Sequence, residues 1–213
     1  MPTPPDRRYD DAMTDARILA QSTARNRDPI LAVLREWLPP TGLVLEIASG
    51  AGEHAVHAAA AMPGLTWRPT DRDETALASI AAWRAASGLS NIAAPQVADA
   101  ADPDAWPVDR ADAIVNINMI HISPWAATLG LLKGAGRVLG QGGVLYLYGP
   151  YRERGRQTAP SNEAFDASLK SRNPAWGLRE LETVAEEAAR CGLTLAARVE
   201  MPANNLSVVF RKM

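Results

Sequence analysis

The amino-acid sequence predicts an α/β protein built on one doubly wound sheet of seven strands, the last of which runs antiparallel to the rest. Three observations carry this. Short apolar runs alternate with amphipathic or alanine-rich stretches through most of the chain, and the first run passes directly into a glycine loop, Gly50-Ala51-Gly52, that opens a helix. The final two runs are joined only by Pro202-Ala203-Asn204-Asn205, a link so short that the strands on either side must be antiparallel.

The elements follow in order. Residues 28–38 carry Asp28 as N-cap, Pro29 at the first helical position and apolar side chains at Ile30, Leu31, Leu34 and Leu38, the pattern of an amphipathic helix stopped by Pro39-Pro40. Strand, loop and helix are read at 43–47, 48–52 and 53–62. A second strand covers 65–71, with Pro69 marking an irregularity near its end, and a helix over 73–87 is capped by Gly88. A short third strand is expected near 92–97, a fourth at 113–119, a helix at 123–139 and a fifth strand at 144–148 after the Gly142-Gly143 turn. Residues 149–176 read as a polar stretch. A helix at 178–191 and strands at 193–201 and 206–211 complete the chain.

Composition sets the outer limits. The 213 residues suit one well-buried domain, expected over 14–213, behind a Pro-rich, charged segment at 1–13 expected to be flexible. A hydrophobic share of 47% with 22% charged residues is globular usage and excludes a disordered chain. Lys+Arg 22 against Asp+Glu 24 leaves a net charge of −2, which offers no basic field to a polyanion, so no nucleic-acid partner is expected. Cys191 is the single cysteine, which excludes an internal disulfide and a thiolate metal cluster. The single cysteine makes cytoplasmic the expected location; no run reaches the ~20 apolar residues of a membrane span and the first residues lack a signal-peptide core, so neither export nor a membrane partner is expected. The oligomeric state stays open.

The loop carries the chemistry. Glycines between a strand and a helix let a ligand approach the backbone, while free N–H groups at the helix start face its polar or anionic parts. The spacing Gly50-x-Gly52-x-x-Ala55 also fits the loose dinucleotide pattern, although a tight turn without ligand would look the same. Asp71 ends the second strand, where a carboxylate can accept from both hydroxyls of an unphosphorylated ribose. Asp99 follows the third strand and can accept from an adenine amino group or simply cap its loop. Glu46 lies inside the first strand, an expensive place for a charge unless it serves a cation or an ion pair.

The run Val44-Leu-Glu46-Ile-Ala48-Ser-Gly50-Ala-Gly52 resembles the first motif of class I S-adenosylmethionine-dependent methyltransferases. That resemblance implies the class I methyltransferase form of the Rossmann-like fold and S-adenosylmethionine as cofactor. It places Glu46 near the methionine end, Asp71 at the ribose and Asp99-Ala100 at the adenine. A narrower resemblance, to the methyltransferase-like protein 26 family, a domain of unknown function, rests on Arg25-Asn26-Arg27, on residues 118–125 and 148–151, on 158–166 and on 201–205. The cofactor set these likenesses imply is Arg25, Asn26, Glu46, Ala48, Gly50, Gly52, His54, Asp71, Arg72, Asp99, Ala100, Asn116, Asn118 and Met119.

A methyltransferase acting on an activated sulfonium needs mainly an in-line nucleophile and, where the acceptor carries a proton, a base. His121 follows the fourth strand and has the basicity for that task, or serves as a contact or strut. Tyr148 and Tyr151 flank the mouth of the fifth strand and can bond a substrate or cover the core. These three are the candidate acceptor-facing residues. His54 and His57 with His121 are too few for a metal site, so no metal is expected. Adenine- and glutamine-modifying enzymes carry an Asn/Asp-Pro-Pro-aromatic box where this chain reads Asn118-Met119-Ile120-His121, which argues against those substrates. The leading reading is methyl transfer to a small molecule. A silent cofactor-binding partner or sensor module, and a nicotinamide oxidoreductase resting on the glycine spacing alone, are the alternatives.

Overall fold

The computed structural model describes residues 16–155 and 159–213, so the segment expected to be flexible, 1–13, lies outside the described residues. The ordered chain opens with α1 (Gln21–Trp37), β1 (Gly42–Glu46), α2 (Glu53–Ala61), β2 (Leu65–Asp71) and α3 (Glu74–Ser87). It continues with β3 (Gln96–Val97), β4 (Ala111–Ile117), α4 (Trp125–Val138), β5 (Leu139–Gly149) and β6 (Tyr151–Arg152). Last come α5 (Pro160–Arg172), β7 (Arg179–Glu180), α6 (Leu181–Arg190), β8 (Leu193–Met201) and β9 (Asn205–Lys212).

Seven strands form one sheet in the order β3-β2-β1-β4-β5-β9-β8. Neighbours from β3 to β5 pair in parallel, whereas β9 runs antiparallel to both β5 and β8. Strand side chains alternate between faces, and here both faces are covered. Leu45, Ile114, Leu145, Leu147, Val208 and Phe210 pack with α4 and α6. Val44, Ala113, Val115, Tyr146 and Val209 pack with α1 and α2 on the other side. Burial on both faces explains why these strands read as continuous apolar runs.

Several boundaries differ from the sequence reading. Helix α1 begins seven residues ahead of the Asp28 cap and carries Pro29 in its interior, where a proline removes one helical hydrogen bond. Tertiary contacts hold the extra turns: the Ala20 N–H donates to Glu53 Oε2 at 2.7 Å, and Asn26 Oδ1 meets His54 Nε2 at 2.9 Å. Strand β2 runs unbroken through Pro69. The missing N–H of Pro69 falls on the β3 side, the side to which Trp67 and Asp71 turn their main chains, so the pairing with β1 is kept, and the Glu46 carbonyl accepts from the Thr70 hydroxyl at 2.7 Å. The polar stretch contains α5, which shows little apolar periodicity because Asn162, Asp166 and Leu169 are its buried residues. Arg152 secures that helix through Glu163 at 2.9 Å and Asp166 at 3.0 Å. Helix α6 starts at Leu181, later than expected, because Arg179 and Glu180 pair with Tyr151 and Arg152 as a small parallel bridge.

Helix α4 closes on the turn after β3. A Cβ at Gly130 would stand 2.2 Å from the Ala100 carbonyl oxygen and 2.9 Å from the Ala101 Cα, both backbone atoms with little room to yield. Gly130→Ala should therefore lower the unfolding free energy by about 1–3 kcal/mol in urea denaturation, and an unchanged midpoint would show that α4 can move away from residues 99–101.

Candidate functional site

Three carboxyl strand ends, those of β1, β2 and β4, converge on the loop between β1 and α2. Ser49 N–H donates to the Thr70 carbonyl at 2.8 Å and Gly50 N–H to Asp71 Oδ2 at 2.9 Å, so β2 holds the loop by main chain and side chain together. The second Asp71 oxygen accepts from Asp73 N–H at 3.0 Å. Both glycines are left-handed, φ 56° at Gly50 and 92° at Gly52, but their surroundings differ. A Cβ at Gly52 would stand 2.9 Å from the Ile80 Cα, whereas one at Gly50 would meet nothing within 4 Å. Gly52 lets α3 approach; Gly50 leaves backbone open to a ligand.

That opening leads into a cleft of about 310 Å³. Of the residues expected at a cofactor, Ala48, Gly50, Asp71, Arg72, Asp99, Ala100, Asn118 and Met119 line it. Sequence reasoning passed over Ala98, Ile117, Ile122, Ser123 and Ala127, which also line it. Ala98 and Ile117 adjoin singled-out residues and were within reach; the other three come from the turn after β4 and the start of α4, whose path only the folded chain reveals. Arg179 fixes that turn from behind, donating to the Ile120 carbonyl at 2.9 Å and the Ser123 carbonyl at 2.6 Å. Arg72 stands 3.5 Å from Asp99, an exposed pair that contributes little to stability.

Glu46 and Asn116 lie behind the loop and do not line the cleft. Glu46 is buried, and its carboxylate accepts from the Trp67 indole N–H at 2.6 Å. Burial pushes its pKa up to about 7 against the opposing effect of that hydrogen bond, and the charge of Asp71 pushes the same way. Asn116 Nδ2 donates to the Ile47 carbonyl at 2.8 Å, while its Oδ1 is buried without a hydrogen-bond partner among the described residues.

The amino-terminal candidates gather elsewhere. Asn26 is engaged with His54, whose pKa burial lowers to about 4, the charges of His57 and Arg27 adding to the effect. Arg25 is exposed on α1. Among the described residues no group of three or more His, Cys, Asp or Glu side chains stands where it could hold a metal ion. No helix of the described residues is long and apolar enough to cross a membrane.

His121 is fully buried and does not line the first cleft. Its ring meets Tyr151 edge-on, centroids 4.9 Å apart at 86°, and a Cβ at Gly149 would stand 2.5 Å from its Nε2 and 3.2 Å from Asn118 Oδ1. Neither ring nitrogen has a hydrogen-bond partner among the described residues; the Gly177 backbone lies beside the ring without hydrogen-bonding geometry. Desolvation, with Arg179 nearby, lowers its pKa to about 3, so the imidazole stays neutral and weakly basic. Tyr148 is buried too, its phenol pKa raised by burial while a hydrogen bond with Asn26 works against that rise. Tyr151 forms the inner wall of a second cleft, of about 470 Å³, at the exit of β5. Its hydroxyl is buried without a partner among the described residues, and burial raises its pKa.

Backbone strain marks the same two places. Among the described residues, the left-handed non-glycine ones are Ala48 and Asn118 at the first cleft and Arg154 and Asn204 at the second, with Ala203 next to Asn204 in the chain, φ lying between 54° and 64°. Strain of this kind persists only where the surrounding structure over-determines it, and it concentrates at functional sites.

Residues 17–212 match the family described as "Protein of unknown function (DUF938)". Among solved structures, an O-methyltransferase family protein from Burkholderia thailandensis is similar at 16% identity and TM-score 0.77, over 90% of this chain and 57% of that one. An O-methyltransferase family 2 protein from Planctomyces limnophilus, in complex with apigenin, is similar at 19% identity and TM-score 0.76, over 94% of this chain and 62% of that one. Human N-acetylserotonin methyltransferase, in complex with S-adenosylmethionine, is similar at 15% identity and TM-score 0.72, over 90% and 53%. The chain thus spans little more than half the length of these proteins. The likenesses show the fold: a class I methyltransferase Rossmann-like sheet with an antiparallel last strand.

The buried acid makes stability pH-dependent. The Glu46 pKa is raised from 4.5 to about 7 on folding, so its contribution is fully present below 4.5 and is lost as pH rises through 7. Compared with Glu46→Gln, which does not titrate, the wild type should lose about 3 kcal/mol of unfolding free energy between pH 4.5 and roughly pH 8. Urea titrations across that range check this, and parallel pH curves for the two proteins would mean that folding leaves the Glu46 pKa where it is in the unfolded chain.

Proposed function

The chain belongs to the family of proteins of unknown function matched over residues 17–212, and we propose that it is an S-adenosylmethionine-dependent methyltransferase acting on a small molecule. The observation that carries this is the first cleft: an unobstructed glycine backbone at Gly50, with the carboxylates of Asp71 and Asp99 on the same wall. S-adenosylmethionine bound to a human protein of the same fold, and apigenin bound to the Planctomyces protein, support the cofactor and the small-molecule acceptor respectively.

The residues present fit the cofactor. Asp71 spends one lone pair of each oxygen on loop N–H groups and keeps the others for ribose hydroxyls. Asp99 is available to an adenine amino group, and Ala98, Met119, Ile122 and Ala127 offer apolar surface to a purine ring. The orphaned Asn116 Oδ1 and the Glu46 carboxyl, behind Ala48, are the acceptors suited to a cationic ammonium or sulfonium end. When bound, the cofactor supplies a methyl group already activated by its sulfonium, so the protein has chiefly to orient and desolvate the reactants. Gly52 and the Asn26–His54 pair shape and brace the loop and α2, while Arg25 remains on the exposed face of α1.

Of the three acceptor-facing candidates, Tyr151 keeps that role because it lines a cleft; His121 and Tyr148 act as struts in the wall between β4 and β5. The likeness to the methyltransferase-like protein 26 family belongs to the same reading, as does a cytoplasmic location, which rests on the single cysteine.

Calorimetric titration tests the cofactor. Wild-type protein should bind S-adenosylmethionine and S-adenosylhomocysteine but neither nicotinamide dinucleotide. Asp71→Ala should weaken both adenosyl compounds together by about tenfold or more, the effect of losing a hydrogen bond to a charged group. Equal affinities in variant and wild type would remove Asp71 from the site; binding of a nicotinamide cofactor alone would replace the reading.

A further inference from the structure

The second cleft lies where β5 leaves the sheet, next to the Asn118–His121–Gly149 wall that borders the cofactor cleft. Its volume, about 470 Å³, is that of a small-molecule site. Its lining is polar and its charges are unevenly paired. Arg198 forks onto Glu153, Nε to Oε1 at 2.9 Å and Nη2 to Oε2 at 2.6 Å, and also reaches Glu200 Oε1 at 3.0 Å. Two carboxylates share one guanidinium, which leaves that cluster with an excess of one negative charge. Three amides stand beside it. Asn162 donates to the Asn204 carbonyl, Asn204 to Ser161 Oγ and Asn205 to the Pro202 carbonyl, so their N–H groups brace the walls. Their side-chain carbonyls accept from no described residue. A group with several N–H donors and a positive charge suits such a surface.

Arg154 supplies the opposite pole. It lines the same cleft, is exposed, and forms no ion pair with any described residue, although its charge reaches Glu153 and adds to the Arg198 hydrogen bond in lowering the pKa of that carboxyl; its backbone N–H is held by Glu182 Oε2 at 3.1 Å. Its φ of 54° is a conformation that glycine adopts freely and arginine does not, so the side chain is retained there against a local cost. A guanidinium with open donors recognises carboxylates.

From this arrangement we infer that the second cleft holds the methyl acceptor, and that the acceptor is a small zwitterion whose ammonium meets the Glu153–Arg198–Glu200 cluster and the asparagine carbonyls while its carboxylate meets Arg154. The inference rests on the methyltransferase reading. It departs from a flat aromatic substrate: among the described residues Tyr151 is the single aromatic one in the lining, and its ring is already packed edge-on against His121.

The test uses full-length protein saturated with S-adenosylhomocysteine, which cannot transfer a methyl group. The complex is mixed with a protein-free aqueous cell extract, concentrated by ultrafiltration, and the retained molecules are released and identified by mass spectrometry. Expected is at least one retained species bearing both an amino and a carboxylate group, held at least tenfold less by Arg154→Gly. That variant suits its backbone angle, so its melting temperature should equal or exceed the wild-type value, and its affinity for S-adenosylhomocysteine should stay within twofold. Retained molecules lacking either charge, equal retention by the variant, or no retention by the loaded protein would each overturn the inference. Failure to bind S-adenosylhomocysteine, read separately by calorimetry, would instead sink the methyltransferase reading and this inference with it.

Discussion

The site depends on the grip of β2 on the glycine loop. Asp71 accepts from Gly50 N–H and Asp73 N–H, and the Ser49 and Thr70 main chains meet alongside. That grip fixes where α2 starts and brings Gly52 against Ile80 of α3. It extends outward: Ser79 Oγ on α3 donates to the Ala51 carbonyl at 2.7 Å and accepts from Ile18 N–H at 2.9 Å. Loop, two helices and the segment before α1 are therefore one connected hydrogen-bonded unit. A carboxylate that both holds the loop and faces the cleft couples the shape of the site to its occupancy.

Burial decides which polar residues are available for chemistry. His121 follows β4, where an acceptor base would be sought, yet desolvation leaves it neutral and packed between Gly149 and Tyr151. Glu46 shows the reverse. Its desolvation is partly offset by Trp67, which leaves a carboxyl that titrates near neutrality and that a neighbouring positive charge would ionise. Among the described residues, no histidine, lysine or cysteine lines either cleft. The surfaces that remain bind and orient.

The two clefts also share a construction. Each sits at a carboxyl strand end, each is rimmed by left-handed non-glycine residues, and the wall between them is made by the exits of β4 and β5. Arg179 ties that wall to the small β6–β7 bridge, since it clamps the turn after β4 while its own main chain pairs with Tyr151. A short path of hydrogen bonds thus connects the two clefts.

The sequence by itself determined the seven-stranded doubly wound sheet, its antiparallel close and the position of the glycine loop. Those features are written in local patterns: apolar runs buried on both faces, helices between them, and a link at 202–205 too short for a crossover. It also singled out Asp71, Asp99, Gly50 and Asn118, because a strand end in this fold puts its next residues at one edge. Tertiary structure alone decided the rest. Helix α1 runs through Pro29 because Glu53 and His54 hold its first turns, and α5 forms in a polar stretch because Arg152 reaches Glu163 and Asp166. It separated Gly50 from Gly52, and Tyr151 from His121. Open space, desolvation and charge pairing are set by neighbours tens of residues away in the chain, and no local pattern records them.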